Sequence, residues 1–182
     1  MSTVVSQEPT AYSNSAATPG TRANPRAQAL AATLEQGAQA LAAFASTLTD
    51  GEWETTVPKD GRTIGIVVHH VASVYPIEIQ LAQMIADRKA IEGVTNEDVN
   101  AMNAAHAKEH AAPEKRETLD VLRRNSATAA AAIRALSDEA LNRTLPASLY
   151  DNAPVTCQFV LEDHAVRHSY HHLAIIRKTL NR

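Results

Sequence analysis

Four of the chain's 8 histidines crowd into His164-Ala-Val-Arg-His168-Ser-Tyr-His171-His172, and their spacing restricts the fold more than any other feature. His168 and His172 are four residues apart, which on a helix places both on one face, one turn apart. With His168 at 0° and steps of about 100°, Leu161 and Ile175 fall near 20° and -20°, His172 near 40°, and His164 and His171 toward one rim. A second apolar stretch, Val67-Val68-His69-His70-Val71-Ala72, holds two more histidines. With His70 at 0°, Val67, Val74, Ile77, Leu81 and Ile85 fall between about -20° and 60°, whereas His69 lies about 100° away at the edge. A helix bundle is the fold that brings these two stretches together.

Composition agrees. A chain of 182 residues with 45% hydrophobic residues is long enough for one domain with a real core. Aromatics are only 4% and alanine is abundant, which favours helix over strand. A net charge of -3 and a pI of about 6.2, with no basic stripe, argue against nucleic acid as a partner. The single cysteine, Cys157, excludes an intrachain disulfide framework and fits a reducing cytoplasm; it reads as a small buried apolar residue. No apolar run reaches the roughly 18 residues that span a bilayer, so no membrane is expected. Met1 to Gly20 lacks the basic start and apolar middle of a signal peptide.

The expected order of elements follows from caps and periodicity. Residues 1–24 read as a flexible tail, rich in Ser, Thr, Ala, Pro and Gly. Asn24-Pro25 opens a first helix running to about Leu48, with Asp50-Gly51 as its end. Residues 52–59 form a connector whose Trp53 plugs the core. A second helix runs from Arg62-Thr63 to about Lys89, kinked by Pro76. Thr95 or Asn96 caps a short helix through about Ala111, with Val99, Met102, His106 and His110 on one face. The third long helix, 114–136, points Leu119, Leu122, Ser126, Ala129 or Ala130, Ile133 and Leu136 inward. Ser137 caps one turn, 142–154 is a loop, and the last helix runs from Val155 or Thr156 almost to Arg182. No strand and no internal repeat is expected. The fold class is all-α: a four-helix bundle with an extra short helix between helices two and three.

Three inward histidines pose a chemical problem. A lone histidine on an apolar face is ordinarily a hydrogen-bonded core residue. His70, His168 and His172 converging would leave several imidazole nitrogens without partners. A divalent metal resolves this, since neutral imidazole suits zinc, nickel, copper or iron. Three protein ligands leave a position for water or substrate, the pattern of catalytic sites. No glutamate follows His168, so the metalloprotease helix is absent, and there is no Gly-rich phosphate loop. His106 and His110 form a second i, i+4 pair. They read as a solvated pair beside Lys108 and Glu109, or as a contact at the mouth of the site, a fourth ligand or, for His106, a proton carrier titrating near about 6.5.

The stretch Gly61-Arg-Thr-Ile-Gly-Ile-Val-Val-His-His-Val-Ala-Ser73, after a connector bearing Trp53, resembles the second-helix motif of the DinB/YfiT-like superfamily. Arg167-His-Ser-Tyr-His-His-Leu-Ala-Ile-Ile-Arg177 resembles its last-helix motif. The resemblance covers about 25–182 and implies an up-down-down-up four-helix bundle with a divalent metal, nickel or zinc, near one end. It carries His70, His168 and His172 over as ligands, with His69 the alternative to His70. It implies a metal-dependent enzyme that activates water or a low-molecular-weight thiol, a hydrolase or a thiol S-transferase acting on a small molecule. The acidic residue that often follows the first motif is replaced by Ser73, and the His106/His110 segment is an insertion. The competing expectation is a non-catalytic metal-binding or stress-associated bundle, which an exposed alanine-rich face would let form a homodimer.

Overall fold

The computed structural model describes residues 24–182; the tail expected over 1–24 lies outside them but for Asn24. Four long helices form the bundle: α1 (Pro25–Ser46), α3 (Ile64–Ala86), α5 (Lys115–Arg134) and the C-terminal helix, which ends in α8 (Arg167–Thr179). They run up-down-down-up. The return from α3 to α5 is made by α4 (Asn96–Glu109), the extra short helix expected between helices two and three. The inward stripe expected for α5 is buried at Leu119, Leu122, Ser126, Ala129, Ala130 and Ile133, with Leu136 packed at its end.

Caps set the helix starts. Asn24 accepts from Arg26 N–H and donates its amide to Leu136 O at 3.0 Å, tying the start of α1 to the end of α5. Thr63 caps α3, Thr95 and Asp98 form a capping box on α4, and Thr156 caps the C-terminal helix. Asp50-Gly51 does not simply end helix one. With Thr49 and Glu52 it forms a capping box that opens a one-turn helix, α2 (Asp50–Trp53).

Three further expectations are corrected. Residues 142–154 are not all loop. After a short α6 (Asp138–Asn142), β1 (Thr144–Ala147) pairs antiparallel with β2 (Ala153–Thr156), and Ile91 bridges to Ala147. The hairpin is not legible in the sequence because each strand is only four residues long and Pro146 and Pro154 interrupt it. The last helix is also not uniform: α7 (Cys157–Val160) passes into a π-helical segment, Leu161–Val166, before α8. An apolar run long enough to cross a membrane does exist, in α3, but 67% of its most apolar window is buried in the bundle, as a core helix requires.

Helix α3 runs unbroken through Pro76. Proline has no N–H to give the carbonyl one turn back, and Asn125 Nδ2 on α5 donates to that Ala72 O at 2.8 Å instead. Trp53 is buried against the first turn of α3, its Nε1 donating to Pro113 O at 3.0 Å. Gly65 makes this approach possible, since a Cβ there would stand 2.4 Å from Trp53 Nε1. Gly37 faces Tyr170 in the same way, at 2.7 Å from a ring carbon, but that residue is 39% exposed and held only by an exposed 3.2 Å bond from its Oη to Thr33 O, so it can swing outward.

Replacing glycine by alanine inside a helix gains about 0.5–1 kcal/mol of backbone entropy, while overpacking a rigid core costs about 1–3 kcal/mol. Gly65→Ala is therefore expected to destabilise the protein and Gly37→Ala to leave it near neutral, as read by urea denaturation.

Candidate metal centre

His69 and His70 are consecutive on α3 and so point about 100° apart. His70 enters the bundle and is only 5% exposed. From the facing helix α8 come His168 and His172, the latter 8% exposed. Each of the three offers a ligand nitrogen, and these nitrogens lie within 4.8 Å of one another. Between the two α8 histidines, Ser169 is fully buried and shares a 2.7 Å hydrogen bond with Tyr75 Oη of α3. That bond fixes α8 against α3 within a turn of both rings.

Glu78 is the residue that sequence reasoning missed. It is buried, two turns beyond His70 on α3, and its Oε1 meets Nδ1 of His168. A carboxylate on one imidazole nitrogen sets ring orientation and leaves Nε2 free to ligate. The available signal was composition: Glu78 is the only acidic residue in Ile64–Ala86, and a buried acid must have a partner.

Two of the rings are held neutral. Burial, then the neighbouring His168, pushes the pKa of His70 down to about 3 and that of His172 to about 2. The Nδ1 atoms of both, and Glu78 Oε2, are buried with no hydrogen-bond partner among the described residues. Neutral imidazoles with unpartnered nitrogens and a carboxylate behind the third ring are a donor set that suits a divalent cation.

Two clefts of about 250 Å³ each open on the trio. One is polar and includes Arg62, Asn103, Arg167 and His171. Arg62 is held by a two-pronged pair with Asp60, at 2.6 and 2.8 Å, which leaves its Nη1 buried without a partner. The other is apolar, lined by Val74, Ile77, Leu81, Val99, Met102 and Leu149. Asn103 of α4 stands in both. His164, expected at the rim, lines both clefts as well and lies 2.9 Å from Tyr150 Oη. That hydroxyl gives its proton to Asp163 at 2.6 Å, so His164 carries its own on Nε2.

His69, His106 and His110 do not join this trio. They gather beside it, half-buried, with His69 Nδ1 2.9 Å from His106 Nε2 and the His106 ring centroid 5.7 Å from that of His70. Burial, followed by His69 and His110, pushes His106 down to about 4, so its ring is neutral at pH 7.

The fold and the trio define a class: a four-helix bundle with a three-histidine cluster shared between its second and last long helices. The model of the DinB superfamily matches residues 33–176, and the chain belongs to that superfamily. Among solved structures it is similar to YfiT from Bacillus subtilis, described as a probable metal-dependent hydrolase with an unusual four-helix bundle topology. The TM-score is 0.71 at 19% identity, over 91% of this chain and 93% of that one. No curated protein matches the chain.

Without metal, the depressed histidines make stability depend on pH in a definite direction. The unfolded chain takes up protons below about 6.5 while the folded rings refuse them, so stability falls with falling pH. Urea midpoints in chelator should drop between about pH 6.5 and 4.5, above the usual carboxylate range. A flat profile there would mean that the rings protonate in place.

Proposed function

We propose that this chain is a metal-dependent enzyme in which His70, His168 and His172 hold one divalent ion, zinc or nickel, for hydrolysis or thiol S-transfer on a small molecule. The observation that carries the reading is the convergence of three imidazoles, two held neutral by burial and the third braced by Glu78, where two clefts open. An ion in such a site lowers the pKa of a water or thiol that reaches it and polarises carbonyl groups.

The chain's own residues supply the rest. Glu78 orients His168 and offsets the charge that an ion brings. Arg62, which lines the polar cleft beside the trio, binds an anionic group on the substrate, and Asp60 keeps its charge from opposing the ion. The apolar cleft receives an uncharged arm and keeps water from that side. A sealed ion would favour the purely structural alternative. His70 and His168 line both clefts, which supports the enzyme. A cytoplasmic location belongs to the same reading, since Cys157 is a free, buried thiol of the kind a reducing compartment preserves.

Metal content measured on purified variants tests the ligand set. His70→Ala, His168→Ala and His172→Ala should each lose the ion of this site, together with turnover of simple esters, amides or thiol conjugates, because two ligands hold a labile ion poorly. If all three retain it in full, the assignment is wrong. Glu78→Gln should keep the site but weaken zinc affinity by about 10–100-fold, as loss of a ligand's carboxylate partner does. Competition with a chelating dye reads this, and unchanged affinity would remove Glu78 from the site.

A further inference from the structure

We propose that His69, His106 and His110 form a second divalent-cation site, which clamps α4 to α3 beside the first cluster. The three ligand nitrogens lie within 4.8 Å of one another. Ring centroids stand 5.0 Å apart for His69 and His106, 4.1 Å for His69 and His110, and 4.8 Å for His106 and His110. Two nitrogens bound tetrahedrally at about 2.0–2.1 Å from one zinc are about 3.3 Å apart. The 2.9 Å between His69 Nδ1 and His106 Nε2 is thus a few tenths of an ångström short of ligand geometry.

His106 and His110 are one turn apart on α4 and at its end, the same i, i+4 arrangement as His168 and His172. His69 supplies the third ring from α3, as His70 does for the first cluster, and the His106 ring also lies 5.7 Å from that of His70. The neighbouring groups do not compete for the rings. Among hydrogen bonds to this cluster only Ser73 Oγ, 3.3 Å from His69 Nδ1, adds to the histidine pair, and His106 Nδ1 is buried without a partner.

The site explains how α4 is held. No residue of α4 is buried, so apolar packing alone grips it weakly. Yet α4 supplies Asn103 to both clefts and Val99 and Met102 to the apolar one. An ion bridging His69 to His106 and His110 joins α4 to the core helix and sets the walls of those clefts. His106 then serves as a ligand instead of a proton carrier. Imidazole donors without a carboxylate select zinc, nickel or copper over magnesium or calcium.

Zinc alone is the probe. Full-length protein dialysed to saturation should carry a second equivalent that is lost in His106→Ala and in His110→Ala, while the equivalent lost in His168→Ala is a different one. His168→Ala should still bind zinc, and His168→Ala/His110→Ala should bind none. Both α4 positions are half-exposed on a helix without buried residues, so folding, checked by circular dichroism, should not change. Zinc added to His168→Ala should slow amide hydrogen exchange across Asn96–Glu109, and added to His168→Ala/His110→Ala should not. A second equivalent that survives in His106→Ala/His110→Ala overturns the proposal, as does saturation by one zinc that only His168→Ala removes. Unchanged exchange in α4 overturns the clamp. If the only zinc bound is the one that His110→Ala removes, this site stands and the first falls.

Discussion

An imidazole nitrogen withdrawn from water needs a partner, and this bundle withdraws several at once. His70 and His172 are nearly sealed among aliphatic side chains, and the protein supplies neither of their Nδ1 atoms with a hydrogen bond among the described residues. Leaving such groups unsatisfied costs about 1–3 kcal/mol each, a large share of the stability of an ordinary domain. Evolution has not relieved this cost by replacing the rings. It has instead spent a buried carboxylate, Glu78, on the one ring that does have a partner. Stability alone would favour hydrocarbon at all four positions.

The surrounding fold makes that arrangement rigid. Asn125 covers the carbonyl that Pro76 leaves bare, so α3 passes intact from His70 to Glu78. The Tyr75–Ser169 bond holds α8 in register with it. Gly65 lets Trp53 close over the start of α3, and Trp53 in turn reaches the segment entering α5. A site fixed on two core helices is held more closely than one carried on loops.

Much of this could be read from periodicity. The four long helices, the inward stripe of α5 and the faces of His70, His168 and His172 all follow from a 100° step applied to long apolar patterns. Failures came where that step does not hold or the pattern is short. The hairpin is four residues deep and broken by proline. The one-turn α2 was hidden because a capping box and a helix end use similar residues. Glu78 sits about 80° from His70 by helical angle, so only the burial of that side of α3, a tertiary fact, could place it. His69 was legible as an edge residue, but its meeting with His106 depended on where α4 docks, which no local rule specifies.

The π-helical turn at Leu161–Val166 acts as a phase adjuster. A π-bulge is in effect an α-helix with one residue inserted, which rotates everything beyond it by about 100° relative to an unbroken helix. Before the bulge, α7 packs against α3, α6 and the hairpin; after it, His168 meets Glu78 of α3. The inserted residue sets the angle between the two stretches of one continuous helix. Asp163 and His164 lie within this turn and line the polar cleft, where Tyr150 from the hairpin secures them. The offset between scaffold and site is therefore carried in the winding of a single turn, and relatives could re-aim the histidine pair by gaining or losing one residue there without disturbing either end.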